Sequence, residues 1–125
     1  MKKINFIAMS QPSFLPWSGF FDLIDSVENF VFLNDAKFSK QTWQTRNKII
    51  NNKKSSWINL PVINSSSSQL INETRIMNNE KNINKVLKTV RQNYSKSKYY
   101  KIYFEEFEKK LIECLKYEFL DDINI

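Results

Sequence analysis

The stretch "KINFIAMSQPSFLPWSGFFDLIDSVENFVFLND", residues 3–35, decides the fold. It opens on "KINFIAM", a short apolar run with β-branched and aromatic residues, which reads as a buried strand. Next comes a loop holding Pro12 and Pro16, two of the chain's three prolines, and then Gly19, its only glycine. Ser18 suits an N-cap, and "GFFDLIDSV" continues as a short helix with Phe20, Ile24 and Val27 on one side. "NFVFLND" is a second strand-like run, closed by Asn34 and Asp35. Two buried strands joined by a helix imply a parallel βαβ unit with a right-handed crossover.

This order gives the proline loop a place. In an α/β sheet, ligands sit beyond the carboxyl ends of the parallel strands, where the loop after the first strand lies. Pro12 and Pro16 fix φ and stiffen the loop without a ladder of hydrogen bonds. Gly19 lets backbone approach a neighbour or ligand at the helix start, where free N–H groups favour an anion. Trp17 or Phe14 offers a stacking wall; the other reading is a hydrophobic plug closing one end of the sheet. A second cluster, "NDAKFSKQTWQTRNKI", starts directly after the second strand and so falls at the same edge. It carries Asp35, Lys37, Lys40, Arg46 and Asn47, a carboxylate with several cations and an amide. Such a set suits a phosphorylated or polyhydroxylated ligand, or a surface ion-pair group with Asp35 capping a turn.

Beyond this point "QTWQTRNKII" and "SSWINLPVI" are extended segments, with "NNKK" between them as turn chemistry, and predict a hairpin. A short helix over residues 41–50 is the alternative. Pro61 fits an edge strand or strand end. "NSSSS", residues 64–68, reads as a polar linker, since it lacks the glycines of a phosphate loop. From Asn79 the period becomes helical, with Ile83, Val86, Leu87, Val90 and Tyr94 on one face. Phe104, Phe107, Leu111, Cys114 and Leu115 repeat the pattern, and "SKSKYY" links the two helices. Both stripes read as core. The chain closes on "FLDDINI" without a helix stop signal, which predicts a continuation.

Composition bounds the function. With 125 residues, 42% hydrophobic and 14% aromatic, the chain is sized for one α/β domain over residues 1–125. No apolar run approaches a membrane span, and the amino terminus reads as mature protein, so a cytoplasmic location is expected. Histidine is absent and Cys114 is the single cysteine. That excludes histidine acid–base catalysis, histidine metal sites, an internal disulfide and, with no CxxC pair, a structural zinc site. Cys114 is expected to be a buried, inert thiol. The net charge of +6 suggests an anionic partner, yet the lysines read as scattered along the chain. Without a clustered basic stripe or an RNA-binding signature, nucleic acid is disfavoured as a partner.

The words "QPSFLPWSGFFDLI", "FVFLNDAKFSKQTWQTRNKI", "WINLPV" and, more weakly, "INETRI" and "QNYSKSKYY" resemble the WbqC-like protein family. The resemblance covers nearly the whole chain and implies that it corresponds to the amino-terminal half of such a domain, a carboxyl-terminal half being absent. It implies a role in bacterial surface polysaccharide (O-antigen type) biosynthesis. The expected ligand is an anionic small molecule such as a nucleotide-linked sugar. Carried over residue by residue, the family pattern selects Gln11, Pro12, Pro16, Gly19, Asp35, Phe38, Lys40, Trp43, Arg46 and Asn47, beside the stacking candidate Trp17. Arg46 and Lys40 would bind negative charge, Asp35 would hold hydroxyls or a metal-bound water, and Gln11 with Gly19 would orient the ligand. The chain departs from the family at Ser10, where many relatives have histidine, at Ala36-Lys37 in place of Val-Gln, and at "NNKK", which lacks the usual glycine. No catalytic residue or cofactor is implied. Group transfer fits better than redox chemistry, because no dinucleotide fingerprint occurs. The alternative is a non-catalytic module binding RNA or a protein. The opening also resembles nucleotidyltransferase-like α/β folds, without their His-x-Gly-His word.

Overall fold

The computed structural model describes residues 5–64 and 66–125. Lys3 and Ile4, read as the start of the first strand, and Ser65 of the serine loop lie outside them. The architecture is mixed α/β. Strands β1 (Ile7–Ser10) and β2 (Asn29–Phe32) pair in parallel, with Ile7 opposite Asn29 and Ser10 opposite Phe32. Helix α1 (Ser18–Asp25) connects them, which is the expected βαβ order. The strands are not buried as expected: alternate residues, among them Ile7, Met9 and Val31, are exposed because α1 covers one face of the pair. Ser18 is the first helical residue and not the cap; Trp17 occupies that position with extended backbone and no side-chain bond. Phe20 is buried on α1 and meets the rings of Phe30 and Phe32 at 5.7 and 6.4 Å, because alternate strand residues point to the helix side.

Strands β3 (Arg46–Asn51) and β4 (Lys54–Asn59) form the expected antiparallel hairpin. Its turn is Asn52-Lys53, with φ of 49° and 64°. Positive φ at both central residues marks the turn class whose twist matches a hairpin, and here it is made without glycine. Two short strands follow, β5 (Val62–Ile63) and β6 (Arg75–Ile76), paired antiparallel.

Helices α2 (Asn79–Tyr94) and α3 (Tyr100–Glu113) pack antiparallel, and α4 (Leu120–Asn124) closes the described chain. The Asn79 side chain donates to the carbonyls of Tyr117 at 2.7 Å and Leu115 at 3.2 Å, tying the start of α2 to the segment after α3. Tyr94 at the other end of α2 accepts a bond from the Ile50 amide at 3.0 Å, which docks the helix on the hairpin.

One apolar core joins the helices, the hairpin and the short strands, outside the βαβ unit itself. Ile83, Val86 and Leu87 of α2 and Leu111 of α3 meet Ile58, Leu60, Ile71, Ile76 and Leu120. Phe14 and Phe38, from the two loops at the strand ends, complete it. Cys114 departs from expectation: it ends α3 half-buried, outside this core. Among the described residues, no helix is long and apolar enough to cross a membrane.

Candidate ligand cleft between the proline loop and the hairpin

β1 and β2 are parallel and in register at their ends, and the Leu33 amide donates to the Ser10 carbonyl at 2.9 Å. Gln11 and Asp35 therefore both follow the carboxyl ends of their strands, at one edge of the sheet. The two sequence clusters are joined there by hydrogen bonds. The Phe14 amide donates to the Trp43 carbonyl at 2.8 Å. The Asn47 carboxamide donates to the Leu15 carbonyl at 2.6 Å. Gln44, which is buried, donates to the Gln11 side chain at 2.7 Å and accepts from the Ser39 amide at 3.1 Å.

This answers why the loop is so constrained. Phe14 is 1% exposed and plugs the core, while Trp17, three residues on, is 71% exposed. Leu15 between them has φ 46°, a backbone region sparsely used by residues with a Cβ. The loop thus turns sharply, one aromatic inward and one outward. Phe14 is the plug and not a stacking wall, and only Trp17 serves as wall. Pro12 is fully buried, so it shapes the loop from within.

The result is a cleft of about 420 Å3 beside the first turn of α1. Its lining comes from Ser10, Ser13, Pro16 and Trp17 on one side and Trp43 and Asn47 on the other, with Phe20 of α1. That volume suits a small molecule. Two exposed indoles and two hydroxyls suit a ligand with apolar faces and polar edges. Among the described residues, the lining offers hydroxyls, an amide and indoles and no carboxylate, lysine or thiol.

Gly19 has a different use from the expected one. A Cβ built there would overlap the Trp17 indole. The glycine lets the Trp17 ring lie over the helix start, and so helps to place the cleft's wall.

Arg46 opens β3 and is the chain neighbour of Asn47, but it is not part of the cleft lining. Its guanidinium carbon lies 4.1 Å above the Trp57 ring, and Trp57 lies 5.6 Å from Trp43. Lys48 reaches the same ring at 5.1 Å. Arg46 is not ion-paired with Asp35 or Glu73. Its buried Nε finds no hydrogen-bond partner among the described residues. The cation is therefore held by stacking, which leaves its donors uncommitted to a carboxylate.

The remaining expected site residues lie apart. Asp35 is exposed in the turn after β2 and does not line the cleft. Lys40 lines another groove, of about 400 Å3, with Phe38, Asn64 and Ser66. Gln44 was not picked out from the sequence; it lies inside "TWQTRN", but nothing in that word distinguishes a buried amide from an exposed one.

A βαβ opening, a proline loop pinned to a hairpin and a cleft lined by two tryptophans define a small mixed α/β protein. The model of the WbqC-like protein family matches residues 11–125, and the chain belongs to that family. It is also similar to "Uncharacterized protein Rv1507c" of Mycobacterium tuberculosis (strain ATCC 25618 / H37Rv), with 38% identity over 77 residues. That stretch is 61% of this chain and 32% of the relative, so the match spans about a third of the relative's length. No solved structure matches the chain.

Proposed function

We propose that the chain binds a nucleotide-linked sugar, or a similar anionic small molecule, in the cleft between the proline loop and the hairpin. In this reading it serves group transfer in surface polysaccharide biosynthesis in the cytoplasm. The observation that carries it is the pair of exposed indoles, Trp17 and Trp43, lining one cleft, with Arg46 stacked on Trp57, the ring that neighbours Trp43. A sugar ring presents C–H groups that pack on an indole face and hydroxyls that bond to Asn47 and the serines. A diphosphate needs a cation, and Arg46 is held ready for it by Trp57.

Calorimetric titration with nucleoside diphosphate sugars, UDP-glucose and UDP-N-acetylglucosamine first, tests this. Saturable binding is expected, with quenched tryptophan emission. Trp43→Ala should weaken it about tenfold or more. Affinity should fall only modestly between low and physiological salt, since few charges are neutralised. Absence of binding by the series, or equal affinity in Trp43→Ala, overturns the assignment.

A further inference from the structure

The lysines are less scattered than a reading along the whole chain suggests. Residues 81–104 contain Lys81, Lys85, Lys88, Arg91, Lys96, Lys98 and Lys101, and no carboxylate. Seven of the 19 cations and none of the 13 acids fall there, so the rest of the chain carries 12 cations against 13 acids. The net positive charge of the protein resides in this segment, which is α2, its connection and the start of α3.

The fold orders these charges. Lys81, Lys85 and Lys88 recur at helical spacing on the exposed side of α2, opposite the buried Ile83, Val86 and Leu87. The row runs off the last turn of α2 into exposed Lys96 and Lys98. Beside that connection the α2–α3 hairpin opens into an apolar pit of about 340 Å3. Tyr94, Tyr99, Tyr100 and Tyr103 line it over Phe104. Tyr100 stacks on Phe104 at 4.5 Å and 21°, which builds a rigid floor. Tyr99 and Tyr103 are 55% and 66% exposed, with ring centres 6.5 Å apart. Lys98 lies 5.0 Å from the Tyr99 ring. A hydrophobic face meant for protein would not gather all of the molecule's excess charge, and a surface meant only for phosphate would not expose two adjacent tyrosines.

We infer that the outer face of α2 and the α2–α3 connection bind single-stranded nucleic acid, with the lysine row along α2 tracking phosphates and one or two bases stacking on Tyr99 and Tyr103 at the end of the hairpin. Flat rings with cations beside them form the usual platform for unpaired bases, and such binding tolerates sequence. Nothing in the platform reads the sugar 2′ position, so RNA and single-stranded DNA share the chemistry. The site stands on different elements from the tryptophan cleft and does not depend on it.

Fluorescence anisotropy with labelled rU20 and dT20 tests the inference on the full chain. Neutralising five phosphates by Lys81, Lys85, Lys88, Lys96 and Lys98 gives a slope of log K against log salt of about −3.5. The triple change Lys81→Glu, Lys85→Glu, Lys88→Glu should flatten that slope by about 2. Tyr99→Ala with Tyr103→Ala should weaken binding about tenfold or more while leaving the slope unchanged, because it removes stacking and no charge. Equal affinity for both oligomers supports a common platform, and preference for rU20 supports RNA as the partner. No binding at low salt overturns the inference. So does binding of heparin or duplex DNA as tight as that of rU20 with no effect of the tyrosine changes, which would mark a generic polyanion surface. All these side chains are exposed, and a thermal melt of each variant confirms that it is folded.

Discussion

The Asn47 carboxamide, on the second residue of β3, donates to the Leu15 carbonyl at 2.6 Å, 32 positions back in the chain. It also reaches the Phe14 carbonyl at 3.5 Å, a distance at the limit of a hydrogen bond. One amide thus holds the strained corner of the proline loop, where Leu15 has φ 46°. Pro12 and Pro16 carry no backbone N–H, so the loop has fewer donors of its own to offer that carbonyl.

Asn47→Ala is therefore expected to lower stability by about 1–2 kcal/mol, by leaving a partly buried carbonyl unpaired and releasing the corner. Urea unfolding followed by circular dichroism measures this. An unchanged midpoint would show that the loop holds its shape without Asn47.

Gly19→Ala should leave the fold intact and disturb the cleft. The added methyl overlaps the Trp17 indole, which is exposed and free to swing away. Tryptophan emission is expected to shift, and ligand affinity to fall about tenfold through loss of one stacking wall. A crystal structure of the variant with Trp17 unmoved would contradict this account.

Arg46→Lys should impair binding of an anionic ligand by roughly ten- to a hundredfold, because an ammonium cannot reproduce two parallel guanidinium bonds. The loss is expected in affinity and not in the melting point beyond the small cost of weaker stacking on Trp57. A lowered melting point with retained affinity would make Arg46 a brace for the hairpin.

The hairpin turn offers a stabilising change. Lys53 has φ 64°, where a Cβ costs about 1–2 kcal/mol and glycine costs none of it. Lys53→Gly completes the Asn-Gly pair favoured by this turn. A gain of about 0.5–1 kcal/mol is expected after the added chain entropy of glycine is subtracted. Denaturant midpoints of the two proteins decide it, and a destabilised variant would mean that the turn relaxes differently.

Burial raises the Cys114 thiol above its ordinary value, with Glu113 adding to the shift, while Lys116 and Lys110 oppose it. The thiol is thus neutral at pH 7, and labelling of the native protein should be slow and should accelerate as pH rises. A folded value above the unfolded one also means that this contribution to stability is present below the unfolded value. It is lost as pH rises through the folded one. Rapid labelling at pH 7 would contradict the assignment. Cys114→Ser should remove the pH dependence of this term.

The sequence alone carried the local architecture. The runs around Ile7 and Phe30, split by one amphipathic helix, are short-range signals, and the parallel βαβ unit they predict is present. The hairpin followed from two extended runs around a polar turn, and helices α2 and α3 from their periodic apolar faces, since each depends on neighbours a few residues apart. The family words picked out Gln11, Trp43, Arg46 and Asn47, of which Trp43 and Asn47 line the cleft. Tertiary structure alone decided what each does. Phe14 and Trp17 are three residues apart and equally aromatic, yet one is core and the other wall, because the Leu15 corner turns them opposite ways. Gly19 reads as a ligand approach until the Trp17 ring is seen lying over it. Gln44 joins Gln11 and Ser39 through bonds that no spacing announces. Lys40 and Asp35, close to Arg46 in the chain, end outside the cleft, and the partner of Arg46 is the Trp57 ring across the hairpin and not a carboxylate. Period and turn chemistry are written in consecutive residues, whereas the direction a side chain takes in a loop is set by contacts tens of residues away.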